Sequence, residues 1–316
     1  MISYGKHFID SSDTSAVLKT LRSKNITQGS QIIEFEKQLS KKFGSKYCSV
    51  VSSGTAALHL VGKILNWKKN DLILCSPITF LATSNSIIYQ GARPEFIDID
   101  PKNYNIDINL IEKKIKTKKG RRVKAIIATD FAGHPCDWES LKYLSKKYNV
   151  TLINDNCHAL GASYKNNLHY AQKYSDFVIH SYHAVKNFTT GEGGAVLTNN
   201  KSDKILIDQL RTHGVFRKKN RTFPWEYEMR NLGYNYRITD IQASLGISQL
   251  KKLDKFVNYR RKIAGLYDKL FKNFDYCQIP NVENDVKHAY HLYPLLIDFK
   301  KIKVSKLFLF KAFKKN

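Results

Sequence analysis

Apolar and polar positions alternate along the chain in two rhythms that succeed one another. Short apolar runs at residues 47–51, 72–75, 95–99, 123–129, 150–154, 176–181 and 195–198 have the length and bounding residues of strands. Helical spacing fills most of the intervals, at residues 83–90, 108–116 and 137–148, the last opened by Pro135 and Asp137. Two more helices come first, at residues 14–22 and 30–43. In the second, Ile32, Phe35, Leu39 and Phe43 form one face, Ser30 is the expected N-cap and Gly44 the expected stop. Thr239 with Gln242 reads as a capping box opening one long helix, with Ile241, Leu245, Leu250, Leu253 and Val257 apolar, that runs toward Phe271. Strands alternating with helices predict an α/β fold with a mainly parallel sheet covered on both faces. Ligands of such sheets bind at the carboxyl ends of the strands.

The residues with chemical potential lie at those ends. His180-Ser181-Tyr182-His183-Ala184-Val185-Lys186-Asn187-Phe188-Thr189-Thr190-Gly191-Glu192-Gly193-Gly194 joins two predicted strands and carries one lysine among hydroxyls, imidazoles and glycines. A lysine that forms a Schiff base with a carbonyl cofactor needs such a setting; a solvated loop lysine is the plainer alternative. The strand at 47–51 runs into Ser52-Ser53-Gly54-Thr55-Ala56-Ala57 and then Leu58, Val61 and Leu65 at helical spacing. Small residues at a helix start leave N–H groups free at the positive end of its dipole, a phosphate cradle or an ordinary turn. Asp155 closes the strand at 150–154, with His158 three residues on. A half-buried carboxylate there needs a cationic partner, such as a protonated ring nitrogen, unless it caps the next turn. Phe80 is either a ring that lies on a flat ligand or a core aromatic.

Composition narrows the class. The 316 residues are 42% hydrophobic and 12% aromatic, enough for a large core in two domains or in one with an appendage. No run reaches the length of a membrane span, and the stretch at residues 1–7 lacks the apolar core of a signal peptide. Cys48, Cys75, Cys136, Cys157 and Cys277 are odd in number and widely spaced, as reduced core residues of a cytoplasmic protein are. His180 and His183 have no further nearby ligand, so no metal site is expected. The net charge of +25 raises nucleic acid or anionic membrane as partners. Only Lys113 to Arg122 is dense, and no nucleic-acid module accompanies it; a solvated face that attracts anionic substrates is the reading, with neither nucleic acid nor membrane as partner.

Five stretches carry a resemblance. Residues 53–60, 76–83, 155–162, 186–194 and 233–243 are similar, in the right order, to the motifs of the DegT/DnrJ/EryC1/StrS nucleotide-sugar aminotransferases. The resemblance implies a fold type I, pyridoxal 5'-phosphate-dependent aminotransferase working as a homodimer with shared active sites. It implies a large cofactor domain over residues 1–250, whose N-terminal segment packs on the small domain, and a smaller C-terminal α/β domain over 251–316. It also implies site roles: Lys186 for the Schiff base, Asp155 for the pyridine nitrogen, His158 near the ring hydroxyl and Phe80 on the ring. Gly54, Thr55, Ala56 and Ser181 would take the phosphate, with Asn235 reaching it from the neighbouring subunit. Glutamate would be the amino donor and a nucleotide-linked 4-keto sugar the acceptor.

Thr27-Gln28-Gly29, residues 131–137, 210–214, 224–229 and 291–294 resemble the members that make UDP-4-amino-4,6-dideoxy-N-acetyl-β-L-altrosamine for pseudaminic acid and surface glycans. A perosamine-type or other 4-amino sugar synthase is the alternative inside the family. A dehydratase relative would carry a histidine in place of Lys186. His180 and Tyr182 stand where phenylalanines are usual, and Asn154 where glutamate is common. The chain stops at Asn316, where family members continue, so the small domain is expected to be incomplete and Leu307-Phe308-Leu309-Phe310 exposed. That ending also admits a catalytically weak, cofactor-binding remnant.

Overall fold

The computed structural model describes residues 5–217 and 223–315; residues 1–4, in the stretch read above for a leader, and Asn316 lie outside it. Seven strands form the central sheet: β1 Tyr47–Val51, β2 Leu72–Cys75, β3 Arg93–Phe96, β4 Val123–Thr129, β5 Thr151–Asp155, β6 Phe177–Ser181 and β7 Gly194–Thr198. Their spatial order is β1-β7-β6-β5-β4-β2-β3, and β7 alone runs antiparallel to its neighbours.

The near-continuous apolar strands are explained by cover on both sides. Leu72, Leu74, Ile126, Ala128, Leu152 and Val178 enter one core with Phe35, Leu39 and Trp138. Ile73, Cys75, Ala125, Ile127, Ile153 and Ile179 enter the other, under the helices Gly54–Ile64, Ala82–Tyr89 and Lys201–Leu210. Side chains at successive strand positions therefore go to opposite layers.

Most predicted elements form with ends shifted by up to three residues. The first helix spans Ser11–Leu21, and the strand expected at 95–99 is β3, two residues earlier. The second helix, Ser30–Phe43, stops at Gly44 in the left-handed region, φ 71°, where the glycine's N–H returns to Ser40 O. Its N-cap is Gly29 and not Ser30. The orphan donors are met from far along the chain: the buried Asp240 carboxylate accepts Gly29 N–H at 2.7 Å and Gln31 N–H at 2.9 Å.

The long C-terminal helix is also interrupted. Thr239 and Gln242 form the expected capping box, but Asp240–Leu250 and Leu253–Phe271 are separate helices. At the break, Lys252 donates to Asp10 and Asp13, and Gln249 Nε2 donates to Asp13 and to Phe8 O. The N-terminal segment is thereby fastened to the junction of the two helices, with the Phe8 and Phe256 rings in edge contact at 5.9 Å.

In and just before the basic run, Ile115 and Ile111 face the core while Lys113, Lys116, Lys118 and Lys119 are exposed. The five cysteines are free. Leu307, Phe308 and Phe310 on the helix Lys306–Lys315 are exposed, as expected. Among the described residues no helix is long and apolar enough to cross a membrane.

Candidate active site

Strand alternation sorts the ends of the parallel strands into two sets. Thr129, Asp155 and Ser181 follow the parity of Ile127, Ile153 and Ile179 and so face the layer containing Gly54–Ile64 and Ala82–Tyr89. Asp130, Asn154 and His180 face the other layer. Register brings the first set into line: Thr129 is opposite Asp155, Asp155 opposite Ile179, and Ser181 opposite Gly194.

A cavity of about 600 Å³ opens there. Ser53, Gly54, Thr55, Thr79, Phe80, Thr83, Phe131, Asp155, His158, Ser181, Lys186, Glu192 and His291 are in its wall.

One end of the cavity is an anion cradle. Ser53 caps the helix Gly54–Ile64, its Oγ accepting Ala56 N–H at 3.0 Å. The amides of Gly54 and Thr55 remain at the positive end of the dipole, beside Ser181. Two glycines permit this approach. A Cβ on Gly54 would lie 3.0 Å from Ser181 Cβ, and one on Gly194 would lie 2.4 Å from the Ser53 carbonyl carbon.

Asp155 is also in the cavity wall. It is buried, and Thr83 Oγ1 donates to its Oδ2 at 3.0 Å, with Thr129 Oγ1 at 3.5 Å and Cys157 N–H donating to Oδ1 at 3.3 Å. The backbone contact is the capping role weighed for this residue; it coexists with a carboxylate turned toward the cavity.

Lys186 lines the same cavity from a braced loop. Tyr182 N–H donates to Gly193 O and Thr190 N–H to Tyr182 O, closing the base, while Lys186 N–H donates to His183 O at 2.9 Å. Asn187 Nδ2 donates to Leu160 O at 2.9 Å, and Phe188 packs on Tyr182 with ring centroids 4.8 Å apart. The substitutions at 180 and 182 are accommodated in the layer behind, where His180 Nδ1 lies 3.1 Å from Tyr182 OH.

Two histidines complete the wall, their rings 4.5 Å apart. Burial, reinforced by the nearby Lys186 cation and opposed by Asp155, pushes His158 down to about 4. Burial, with His158 and Lys186 adding to it, depresses His291 further. Both imidazoles are therefore neutral at pH 7, and Nδ1 of each is buried without a hydrogen-bond partner among the described residues.

Pyridoxal phosphate presents an aldehyde, a ring nitrogen and a phosphate. The cavity offers it an amine, a buried carboxylate, a helix N-terminus and unpartnered imidazole nitrogens, so the residues fit the group.

Lys186, Asp155, His158, Gly54, Thr55, Phe80 and Ser181 are brought together as the sequence suggested. Phe80 is no core aromatic: it is 68% exposed at the cavity wall. Ala56 is buried behind the wall, its amide taken by Ser53. Asn235 is exposed and outside the wall, bridged to Thr212. Thr83, Thr129, Glu192 and His291 were not singled out. Thr83 ends the 76–83 motif and His291 opens another, so a signal was present; contact with Asp155 or His158 is visible only once the chain is folded.

Fold and cavity together define a pyridoxal-phosphate-dependent aminotransferase of fold type I. The chain belongs to the DegT/DnrJ/EryC1/StrS aminotransferase family, whose sequence profile it matches over residues 7–316. It is 40% identical to a UDP-4-amino-4,6-dideoxy-N-acetyl-beta-L-altrosamine transaminase of Campylobacter jejuni over 300 residues, covering 94% of this chain and 77% of that one. GDP-perosamine synthase of Escherichia coli O157:H7 is 34% identical over 270 residues, covering 85% and 70%. The solved structure of Helicobacter pylori PseC, an aminotransferase involved in pseudaminic acid biosynthesis, superposes with a TM-score of 0.88 at 34% identity, over 99% of this chain and 82% of that one.

Proposed function

We propose that the chain transfers the amino group of glutamate to the 4-keto carbon of a UDP-linked 4-keto-6-deoxy-N-acetylhexosamine, for pseudaminic acid or a related surface glycan. The observation that carries this reading is a cavity lined together by the Lys186 amine, the Asp155 carboxylate and the N-terminus of the helix Gly54–Ile64. Likeness to the Campylobacter transaminase supports the choice of sugar.

When bound, pyridoxal phosphate supplies the electron sink that stabilises negative charge beside an amino group. The protein's part is to hold and to move protons. The Gly54 and Thr55 amides, with Ser181, hold the phosphate against the helix dipole. Asp155 keeps the ring nitrogen protonated, and Thr83 keeps Asp155 in place. Lys186 attaches the cofactor and carries the proton as general base and then acid at Nζ. His158 would face the ring hydroxyl and Phe80 would cover the ring, both being in the cavity wall.

The working unit in this reading is a cytoplasmic homodimer in which Asn235 of each chain reaches the other's phosphate. Residues 1–250 form the large domain and residues 251–316 belong to the small one.

The test offers the protein with pyridoxal phosphate and glutamate a UDP-linked 4-keto-6-deoxy-N-acetylhexosamine and, separately, GDP-4-keto-6-deoxymannose, and follows 2-oxoglutarate. Turnover of the UDP sugar is expected. Turnover of the GDP sugar alone would transfer the reading to perosamine synthesis, and turnover of neither would overturn both.

A further inference from the structure

Behind Asp155, on the sheet face away from the cavity, lies a second and fully buried carboxylate. Asp130 follows β4. Its Oδ1 accepts Cys136 N–H at 2.8 Å and Trp138 Nε1–H at 2.9 Å. Its Oδ2 accepts Tyr170 OH at 2.7 Å, Asn156 Nδ2 at 2.9 Å and Asn154 Nδ2 at 3.2 Å. Its own N–H donates to Asp155 O at 3.2 Å. Both sequence neighbours of Asp155 are thus held by one carboxylate, and the backbone N–H of the same residue binds Asp155's own carbonyl.

This grip is costly. Burial pushes Asp130 up to about 6 in spite of its donors. Asn154, having turned its amide N–H toward Asp130, leaves Oδ1 buried without a partner among the described residues. An apolar core would fill this layer at lower cost. What an apolar core lacks is a fixed direction. Side chains at 154 and 156 point one way and that of 155 the other, so holding the flanks sets the rotation of the strand end and hence the aim of Asp155.

We propose that Asp130 is a positioning residue for the reaction, orienting the Asp155 carboxylate toward the cofactor through Asn154 and Asn156. The inference rests on Asp155 facing the cofactor, as proposed above.

Four variants test it: Asp130→Asn, Asn156→Ala, Trp138→Phe and Asp155→Asn. Each is read for the Kd of pyridoxal phosphate by absorbance titration, for the pH midpoint of the bound cofactor's absorbance, and for Tm. The expected result for Asp130→Asn and Asn156→Ala is a Kd raised by about tenfold, the order seen when a partner that orients a ligating group is removed, together with a shifted pH midpoint. Trp138→Phe, which touches only the far oxygen, should lower Tm and leave both other readings at the wild-type value. Should Asp130→Asn fail to fold, Asn156→Ala carries the test, since the remaining donors to Asp130 persist in it. Wild-type Kd and pH midpoint in Asp130→Asn or Asn156→Ala, with Asp155→Asn impaired, would overturn the role of Asp130 alone. A wild-type Asp155→Asn would overturn the assignment of Asp155 itself.

Discussion

Thr83 Oγ1 donates to Asp155 Oδ2 at 3.0 Å, tying the helix Ala82–Tyr89 to the end of β5. The bond fixes the carboxylate plane inside the cavity and satisfies one oxygen without neutralising it. Thr83→Val keeps the shape and removes the donor. A hydrogen bond to a charged group is worth about 1.5–3 kcal/mol, so kcat/KM should fall by roughly 10- to 150-fold if the loss is felt in the transition state. Thr83→Ser should recover most of it. Steady-state kinetics on the pair decides.

Gly194 begins β7 where it crosses behind the phosphate cradle. An added Cβ would meet the Ser53 carbonyl carbon at 2.4 Å and Gly54 N at 2.6 Å, backbone that has nowhere to go. Gly194→Ala should cost about 1–3 kcal/mol of stability and weaken cofactor binding, because the Gly54 amide must move. Thermal unfolding with and without pyridoxal phosphate should show a lowered Tm and a smaller stabilisation by the cofactor.

Acid should unfold the protein through its buried histidines. His180 is held down to about 3 by burial, and His158 to about 4. With folded values depressed below the unfolded value near 6.5, the unfolded chain binds more protons as pH falls. Stability from these groups is complete above pH 6.5 and is lost progressively toward the folded values. His180 alone contributes about 2 kcal/mol of loss between pH 7 and 5. The double variant His180→Phe/Tyr182→Phe, which removes the imidazole together with its hydroxyl partner, should reduce the drop in Tm over that interval; an unchanged drop would contradict it.

Asn235 tests the homodimer. If it serves the neighbouring site, mixing separately inactive Lys186→Ala and Asn235→Ala chains creates heterodimers with one intact site, restoring about a quarter of wild-type activity after exchange. If Asn235 serves its own chain, the mixture stays inactive.

The parts legible in the sequence share a physical cause. Helical and strand periods are local, so the sheet, the Lys186 loop and the Ser53 to Ala56 turn could be read from patterns a few residues long. Features made by distant residues could not. Gly29 and Gln31 are capped by Asp240, and Lys252, at the break between two helices, donates to Asp10 and Asp13. Neither leaves a mark in the local spacing. His291 reaches the cavity because Arg260 Nη1 donates to the carbonyls of Tyr290 and His291 at 3.1 and 3.3 Å, while Ala289 and Leu292 N–H groups donate to Gly133 and Ala132. Asp130, which organises the back of the site, sits beside a motif but would have been taken for an ordinary strand-end residue.

The central claim is that Lys186 is the residue to which the cofactor attaches. Its most direct test is borohydride reduction of the protein with pyridoxal phosphate, followed by peptide mass spectrometry. The account predicts one added pyridoxyl phosphate on the peptide containing Lys186, abolished in Lys186→Ala and absent after glutamate has been allowed to react first. A label spread over surface lysines, or one that persists in Lys186→Ala, would contradict it.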